Sequence, residues 1–441
     1  MRNKVGLISL GCAKNLVNSE QMLYLLQEAG YDVQGDSTED ISRADAVVIN
    51  TCGFIESAKM EAIETILEIA EEKKAGNVRA IVVAGCLAER YKDELLREMP
   101  EIDAVVGVGS FADIVDAVTA ALKGRAFARF GDNNLPDPET DRIITTPKGT
   151  AYLKIAEGCD NRCAYCAIPD IRGRFRSRSM ESVLAEAERL AQRGVKELIV
   201  VAQDTTRYGL DLYGRRRLAE LLEKLCQIEG VKWIRLHYLY PDEIDDALIH
   251  VIAREEKIVK YLDIPIQHIS DKILKAMRRR GTKREIETLF RKIREQISGV
   301  VLRTSLITGL PGEGEGEFEE LCAFLREAEI ERAGVFPYSP EEGTPAAGME
   351  HPPFDVAQRR AELIAAIQTD IMDAFNKSRI GKTETVLVEG RRGVYLYGRS
   401  SAESPDIDGV VLFTGGEAEP GEFVQVRITG EEDGDAVGEM I

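Results

Sequence analysis

The stretch AYLKIAEGCDNRCAYC, Ala151 to Cys166, decides the fold. Its first six residues read as a short buried strand. Its last eight carry Cys159, Cys163 and Cys166 in a C-x3-C-x2-C array. The array therefore lies in the loop at the C-terminal end of a strand, the edge where parallel α/β folds bind ligands. Three thiols this close form a ligand set. A structural zinc needs a fourth ligand, and no Cys or His lies between Cys166 and Cys226. A catalytic zinc accepts three ligands, but three thiolates are an unusual set for it. An iron–sulfur cube held by three thiolates keeps one iron open, and that iron can chelate a small molecule through an amine and a carboxylate. A local metal knuckle is the structural alternative.

Downstream, KELIVVA, KWIRLH, YLDIPI, VVLRTSLI and GVFPY repeat the strand pattern with amphipathic helical segments between them. Six β/α units over 150–375 predict an incomplete (β/α)6 barrel rather than an eight-fold one. Upstream, residues 1–130 alternate Val/Ile-rich runs (VGLISLG, DAVVINT, RAIVVAG, DAVVG) with helices, LAERYKDELLREM among them. That pattern predicts an α/β domain with a doubly wound parallel sheet. The polar, Pro-containing segment 131–149 reads as a linker. Over residues 376–441 the pattern shifts again, to the short strands ETVLVEG, VYLYGRS, GVVLFTG and FVQVRITG, broken by Gly, Pro and Ser. They predict a small antiparallel β-barrel of OB-like type.

Cys12, Cys52 and Cys86 each lie just past one of the first three upstream strands. Strand C-termini of an open parallel sheet share one edge, so these residues are expected to converge in space. A second metal cluster is the functional reading; three buried structural cysteines are the alternative. Cys226 and Cys322 fall inside amphipathic helices and read as core.

Composition sets the limits. The chain has 441 residues, 44% hydrophobic, and a formal charge of −19 from 76 acidic and 57 basic side chains. That balance excludes a general nucleic-acid coat. The N-terminus lacks a signal-peptide pattern, and no apolar run is long enough to span a bilayer. A soluble, cytoplasmic protein is expected. In that compartment eight cysteines point to metal or redox chemistry before disulfides.

The C-x3-C-x2-C loop after a barrel strand resembles the radical S-adenosylmethionine enzymes. The three upstream cysteines and the C-terminal β module narrow the resemblance to the methylthiotransferases, over essentially the whole chain. GCAKNLVNSE, Gly11 to Glu20, is similar to the hallmark of the branch that modifies the twelfth small-subunit ribosomal protein. Ala13 and Asn18 stand where the family more often has Pro and Asp; the ligand set is untouched. The resemblance implies a TRAM-like C-terminal domain and two 4Fe-4S clusters. Cys159, Cys163 and Cys166 would hold the cluster that cleaves S-adenosylmethionine, and Cys12, Cys52 and Cys86 the auxiliary one. The implied reaction places a methylthio group on the β-carbon of an aspartate. One S-adenosylmethionine methylates sulfur; a second yields a 5′-deoxyadenosyl radical that removes the hydrogen. An unactivated C–H bond has no acidic proton for a general base, so a cofactor must carry this step. The resemblance also implies cofactor contacts at Gln203 and Asp204 in QDTTRYG and at Arg303, Gly309 and Pro311 in RTSLITGLPGE. It implies an electron donor such as flavodoxin.

The same scaffold serves a second substrate class, the adenosine of a transfer RNA. Residues 376–441 hold 7 Lys/Arg and 13 Asp/Glu, a net 7 − 13 = −6. This acidic module complements a basic ribosomal protein better than a phosphate backbone; direct RNA binding is left open. A simple iron–sulfur electron carrier needs neither a barrel nor a substrate module. Other segments carry less. RGRFRSR, Arg172 to Arg178, places four arginines on one side if extended, as an anion contact or a solvated edge. His237 and His268 fall at strand ends, where a structural role is expected; His250 and His351 show no ligand spacing. The glycines of GEGEG alternate with glutamates that repel phosphate, and Gly381-Lys382-Thr383 lacks the first glycine of a phosphate loop.

Overall fold

The computed structural model describes residues 2–34, 41 and 44–441. They form two compact units. One comprises Met1–Thr145, Ala156–Arg176 and Ser339–Ala347; the other comprises Thr146–Ile155, Ser177–Tyr338 and Gly348–Ile441.

The first unit is built on a six-stranded parallel sheet: β1 (Lys4–Ser9), β2 (Asp32–Gln34), β3 (Ala46–Thr51), β4 (Ala80–Gly85), β5 (Ala104–Val106) and β6 (Phe127–Arg129). The order is β2-β1-β3-β4-β5-β6. Alternation of side chains decides the two faces. Val5, Leu7, Val48, Val82 and Val106 pack with Met22 and Leu26 of helix Ala13–Glu28 and with Val118 of helix Ile114–Leu122. Val47, Ile49, Ile81, Val83 and Val105 pack with Ala62 and Ile66 of helix Glu56–Lys74. Burial on both faces explains the unbroken Val/Ile runs. LAERYKDELLREM is two helices, Cys86–Tyr91 and Asp93–Glu98, because Lys92 between them adopts φ +45°.

Residues 131–149 contain no helix or strand, yet the segment is tied down rather than loose. Buried Arg142 ion-pairs with buried Glu20, whose other oxygen accepts from the Thr145 amide at 2.7 Å. Asn133 donates to the Ile171 carbonyl at 2.8 Å.

The second unit opens with β7 (Thr150–Lys154). The short strands β8 (Ala156–Glu157) and β9 (Arg176–Ser177) follow in the chain, then β10 (Glu197–Val201), β11 (Trp233–Leu236), β12 (Ile258–Asp263), β13 (Val301–Thr308) and β14 (Arg332–Pro337). Strands β7 and β10 to β14 lie in chain order in one open parallel sheet, the incomplete six-unit barrel expected. Each crossover carries helical structure whose termini are set locally. Thr282 and Glu285 form a reciprocal capping box at the start of Lys283–Gln296. Helix Phe354–Arg379 leads to the C-terminal module. This is a closed barrel of β15 (Thr383–Arg392), β16 (Tyr395–Arg399), β17 (Val411–Thr414), β18 (Phe423–Glu432) and β19 (Asp435–Met440), in the order β15-β16-β17-β19-β18. It is antiparallel except where β17 meets β19, and Val386, Val388, Phe413, Val426 and Ile428 fill it.

Candidate metal centres

In the first unit β1, β3 and β4 are neighbours, so Cys12, Cys52 and Cys86 follow three adjacent strand ends. Glycines let their loops approach. A Cβ on Gly11 (φ +88°) would lie 2.7 Å from the Cys52 Cβ. One on Gly85 (φ +91°) would lie 2.3 Å from Asn50 Oδ1 and 2.6 Å from the Thr51 carbonyl. Both positions exclude a side chain by conformation and by space. Amides pin the edge: Asn15 Nδ2 donates to the carbonyls of Leu10, Asn50 and Thr51, and Asn50 Nδ2 donates to the Asn15 carbonyl at 2.9 Å.

The thiols sense one another. Burial pushes the Cys52 thiol up to about 11, and the nearby sulfurs of Cys86 and Cys12 add to the push. Burial also raises Cys86, which the Arg172 guanidinium only partly offsets. At Cys12 burial is overcome by Lys14 and Arg172, and the thiol is lowered. Arg172 is 1% exposed. Its Nη1 donates to both oxygens of Glu157 at 3.1 and 3.0 Å and to Asn18 Oδ1 at 3.4 Å. Its Nη2 donates to Asn15 Oδ1 at 3.1 Å and to Cys86 Sγ at 3.2 Å.

Cys159, Cys163 and Cys166 occupy the loop after β8, also in the first unit. The loop is closed at its base: the Cys159 amide donates to the Gly173 carbonyl at 3.1 Å. Gly158 (φ +80°) has no room for a Cβ, which would sit 2.1 Å from the Arg174 carbonyl oxygen. The Cys166 amide donates to the Cys163 carbonyl at 3.1 Å. Segment Ser339–Ala347 straps this unit. Its Ala346 amide donates to the Ala164 carbonyl at 2.9 Å, and buried Glu341 pairs with Lys59 and Arg90. Arg90 in turn donates to the Gly53 carbonyl beside Cys52 at 2.9 Å.

Each set is all sulfur, which suits iron–sulfur ligation. Among the described residues no three His, Cys, Asp or Glu side chains close on one point as the ligands of a single ion do. Thiolates that end on different irons of one cube need a wider spacing.

The remaining sequence candidates lie in the second unit. Gln203 and Asp204 follow β10; Asp204 is buried and accepts from the Thr206 hydroxyl. Gly309 and Pro311 follow β13. Gly309 (φ +75°) abuts helix Phe354–Arg379, where a Cβ would meet the Ala357 Cβ at 2.3 Å. Its amide donates to Glu313 at 2.9 Å, and Arg360 holds the same carboxylate at 2.8 Å. Arg303 lies earlier in β13, ion-paired with Asp263 at 2.8 Å. His237 Nε2 meets the Ser404 hydroxyl at 2.7 Å, and His268 Nδ1 accepts from the Ser270 amide at 3.0 Å; both are buried structural contacts. The RGRFRSR arginines do not share a side. Arg172 ends a short helix and is buried, whereas the Arg174 side chain is 79% exposed. Sequence reasoning missed the partnership of Arg172 with Glu157, Asn15 and Cys86; only its position inside the arginine run marked it.

The Radical SAM superfamily model matches residues 153–325, the model of uncharacterized protein family UPF0004 matches 4–107, and the TRAM domain model matches 380–441. Among solved structures, the radical S-adenosylmethionine methyltransferase TsrM from Kitasatospora setae has a similar fold, with TM-score 0.57 and 15% identity over 79% of this chain and 74% of that one. Ribosomal protein uS12 methylthiotransferase RimO of Acetivibrio thermocellus is 50% identical, covering 100% of this chain and 99% of its own length. The RimO of Pelotomaculum thermopropionicum is 51% identical, with 99% of each covered. The chain thus belongs to the RimO family of radical S-adenosylmethionine methylthiotransferases.

Proposed function

We infer that this chain places a methylthio group on the β-carbon of an aspartate of ribosomal protein uS12. The observation that carries the reading is the pair of three-cysteine sets on one unit, in a chain half identical over its length to relatives named as ribosomal protein uS12 methylthiotransferases. In this reading Cys159, Cys163 and Cys166 hold a 4Fe-4S cluster that binds S-adenosylmethionine, and Cys12, Cys52 and Cys86 hold a second. When bound, these groups supply the electron for reductive cleavage of S-adenosylmethionine and a site for the transferred sulfur.

The chain's own residues bind, orient and shield. Gly158 and the Cys159 amide close the base of the first cysteine loop. Buried Ala164 and Ala167 keep water from its inner side. Asn15 and Asn50 fix the loops of the upstream set. Gln203, Asp204, Gly309 and Pro311 are proposed as contacts for S-adenosylmethionine. Arg303, anchored by Asp263 at 2.8 Å, is proposed as a further contact for S-adenosylmethionine. In the partition 1–130, 150–375 and 376–441, the last part is assigned to the substrate: its net charge of −6 favours a basic ribosomal protein. The electron donor is assigned as a small redox protein such as flavodoxin, and the site of action as the cytoplasm. Among the described residues no helix is long and apolar enough to cross a membrane.

The test offers anaerobically reconstituted protein, S-adenosylmethionine and a reductant a peptide from the aspartate-bearing loop of uS12 and, in parallel, a transfer-RNA anticodon arm. Mass spectra are expected to show a methylthio adduct on the peptide alone. An adduct on the RNA alone overturns the substrate assignment.

A further inference from the structure

Arg172 is carried on the same short segment as Cys159, Cys163 and Cys166, yet one limb of its guanidinium ends on the sulfur of Cys86. Its two limbs differ. Nη1 faces the Glu157 carboxylate and neutralises it. The acceptors of Nη2 are the Asn15 amide oxygen and Cys86 Sγ. Asn15 is itself fixed by three main-chain carbonyls, so the fork cannot swivel away from the sulfur. Burying a guanidinium is costly unless its partners compensate fully, and an apolar residue of similar volume would avoid that cost. An arginine buried with one limb on a thiol is better explained by what it does to that sulfur.

We propose that Arg172 is a positioning residue for the cluster held by Cys12, Cys52 and Cys86: it fixes the Cys86 sulfur, raises the reduction potential of that cluster, and ties the two cysteine sets into one frame. The inference rests on the proposed second cluster. Reduction adds negative charge to the cluster and its thiolates, and a hydrogen bond and a positive charge at a ligand sulfur favour the electron-rich form. Glu157 opposes this effect by neutralising the guanidinium. Asn18, which accepts from Nη1 at 3.4 Å, is a site where a carboxylate would oppose it further.

The signs make the test. Full-length wild type, R172M, N18D and E157Q are reconstituted anaerobically and titrated electrochemically, with the clusters followed by electron paramagnetic resonance. A C159A/C163A/C166A variant identifies the signal of the upstream cluster. R172M is expected to lower the ratio of reduced to oxidised upstream cluster about tenfold at a fixed ambient potential, equivalent to about 59 mV for a one-electron couple. N18D, nearly isosteric, shifts it the same way by less. E157Q shifts it the opposite way. R172K, prepared in the same way, keeps the positive charge and is expected to restore most of the R172M shift; a packing role alone gives no such rescue. If R172M does not retain the upstream cluster, the potential of R172K together with the opposite shifts of N18D and E157Q carries the test. Shifts of one sign in both, or no shift in either, overturn the inference while the upstream cluster stands. A wild-type protein with no cluster on Cys12, Cys52 and Cys86 overturns the second-cluster reading and this inference with it.

Discussion

Two of the regions in which the chain buries arginines are built on different terms. In the second unit, fully buried Glu197 receives Arg235 at 2.9 Å and Arg399 at 2.6 Å. Arg399 also holds Glu389 at 2.7 Å, and Glu403 receives Arg379 and Arg332 at 2.5 and 3.2 Å. These pairs seat the segment that follows β16 against one face of the parallel sheet. Tyr152 and Tyr261 donate to Asp406 and Asp408 of that segment at 2.9 and 2.7 Å, and His237 meets its Ser404. Each of these four guanidinia meets at least one carboxylate, and Arg235 also donates to the main-chain carbonyls of Ser401 and Ser400 at 3.1 and 3.3 Å. In the first unit Arg172 has one carboxylate, two amides and a thiol. Where charges close among themselves the interaction is structural. Where one limb of the guanidinium ends on a sulfur, that hydrogen bond acts on whatever the sulfur binds.

That contrast breaks if perturbing the closed network bleaches the clusters, or if perturbing the cysteine edge unfolds the sheet of the other unit. R399M should cost the most, about 3–5 kcal/mol, because it strips a partner from buried Glu197. Urea unfolding is expected to show the loss, with iron–sulfur absorbance unchanged in the folded protein.

Acid acts on the same group. Burial pushes the Glu197 carboxyl up, but Arg399 and Arg235 overcome it and hold it at about 2. Its folded pKa is below its unfolded value, so it contributes stability that is complete above about pH 4.5. That contribution is lost as pH falls toward 2, roughly 3 kcal/mol in all. Unfolding free energy against pH should show this limb, and E197Q should flatten it.

G85A tests the other side: with φ at +91° and the Asn50 side chain in the way, it is expected to cost about 1–3 kcal/mol. It should release iron from the upstream set while the Cys159 loop keeps its own, as iron analysis would show. Y261F is the mildest. Removing one hydrogen bond to Asp408 should cost about 1.5 kcal/mol in urea unfolding and leave both clusters spectroscopically unaltered.

The sequence made some of this legible and not the rest, for physical reasons. Cys12, Cys52 and Cys86 could be placed on one edge because each follows a Val/Ile run buried on both faces, and parallel strands order their ends. The six barrel strands were readable on the same ground. Strands β2 and β6 are three residues long and lie at sheet edges, too short for a period to show. Strand β19 reads DAVGEM, where Asp, Gly and Glu mask the alternation. Its partners come from β17 and β18, and that pairing is not written locally. The 131–149 segment looked like a linker because its composition is polar, but its polar groups are spent on Glu20 and Ile171. Arg172 read as one of four alternating arginines, an anion contact or a solvated edge. Its burial depends on Asn15, Asn18 and Cys86, all far upstream in the chain, and no window of sequence contains them together.

The most direct measurement is the iron and sulfide content, with the Mössbauer spectrum, of the anaerobically reconstituted C159A/C163A/C166A variant. If Cys12, Cys52 and Cys86 form a site of their own, this protein keeps about half the wild-type iron as one cubane cluster, and adding C86A removes it. A variant that retains no cluster, or one that keeps its iron when C86A is added, would contradict the assignment of two separate three-cysteine sites.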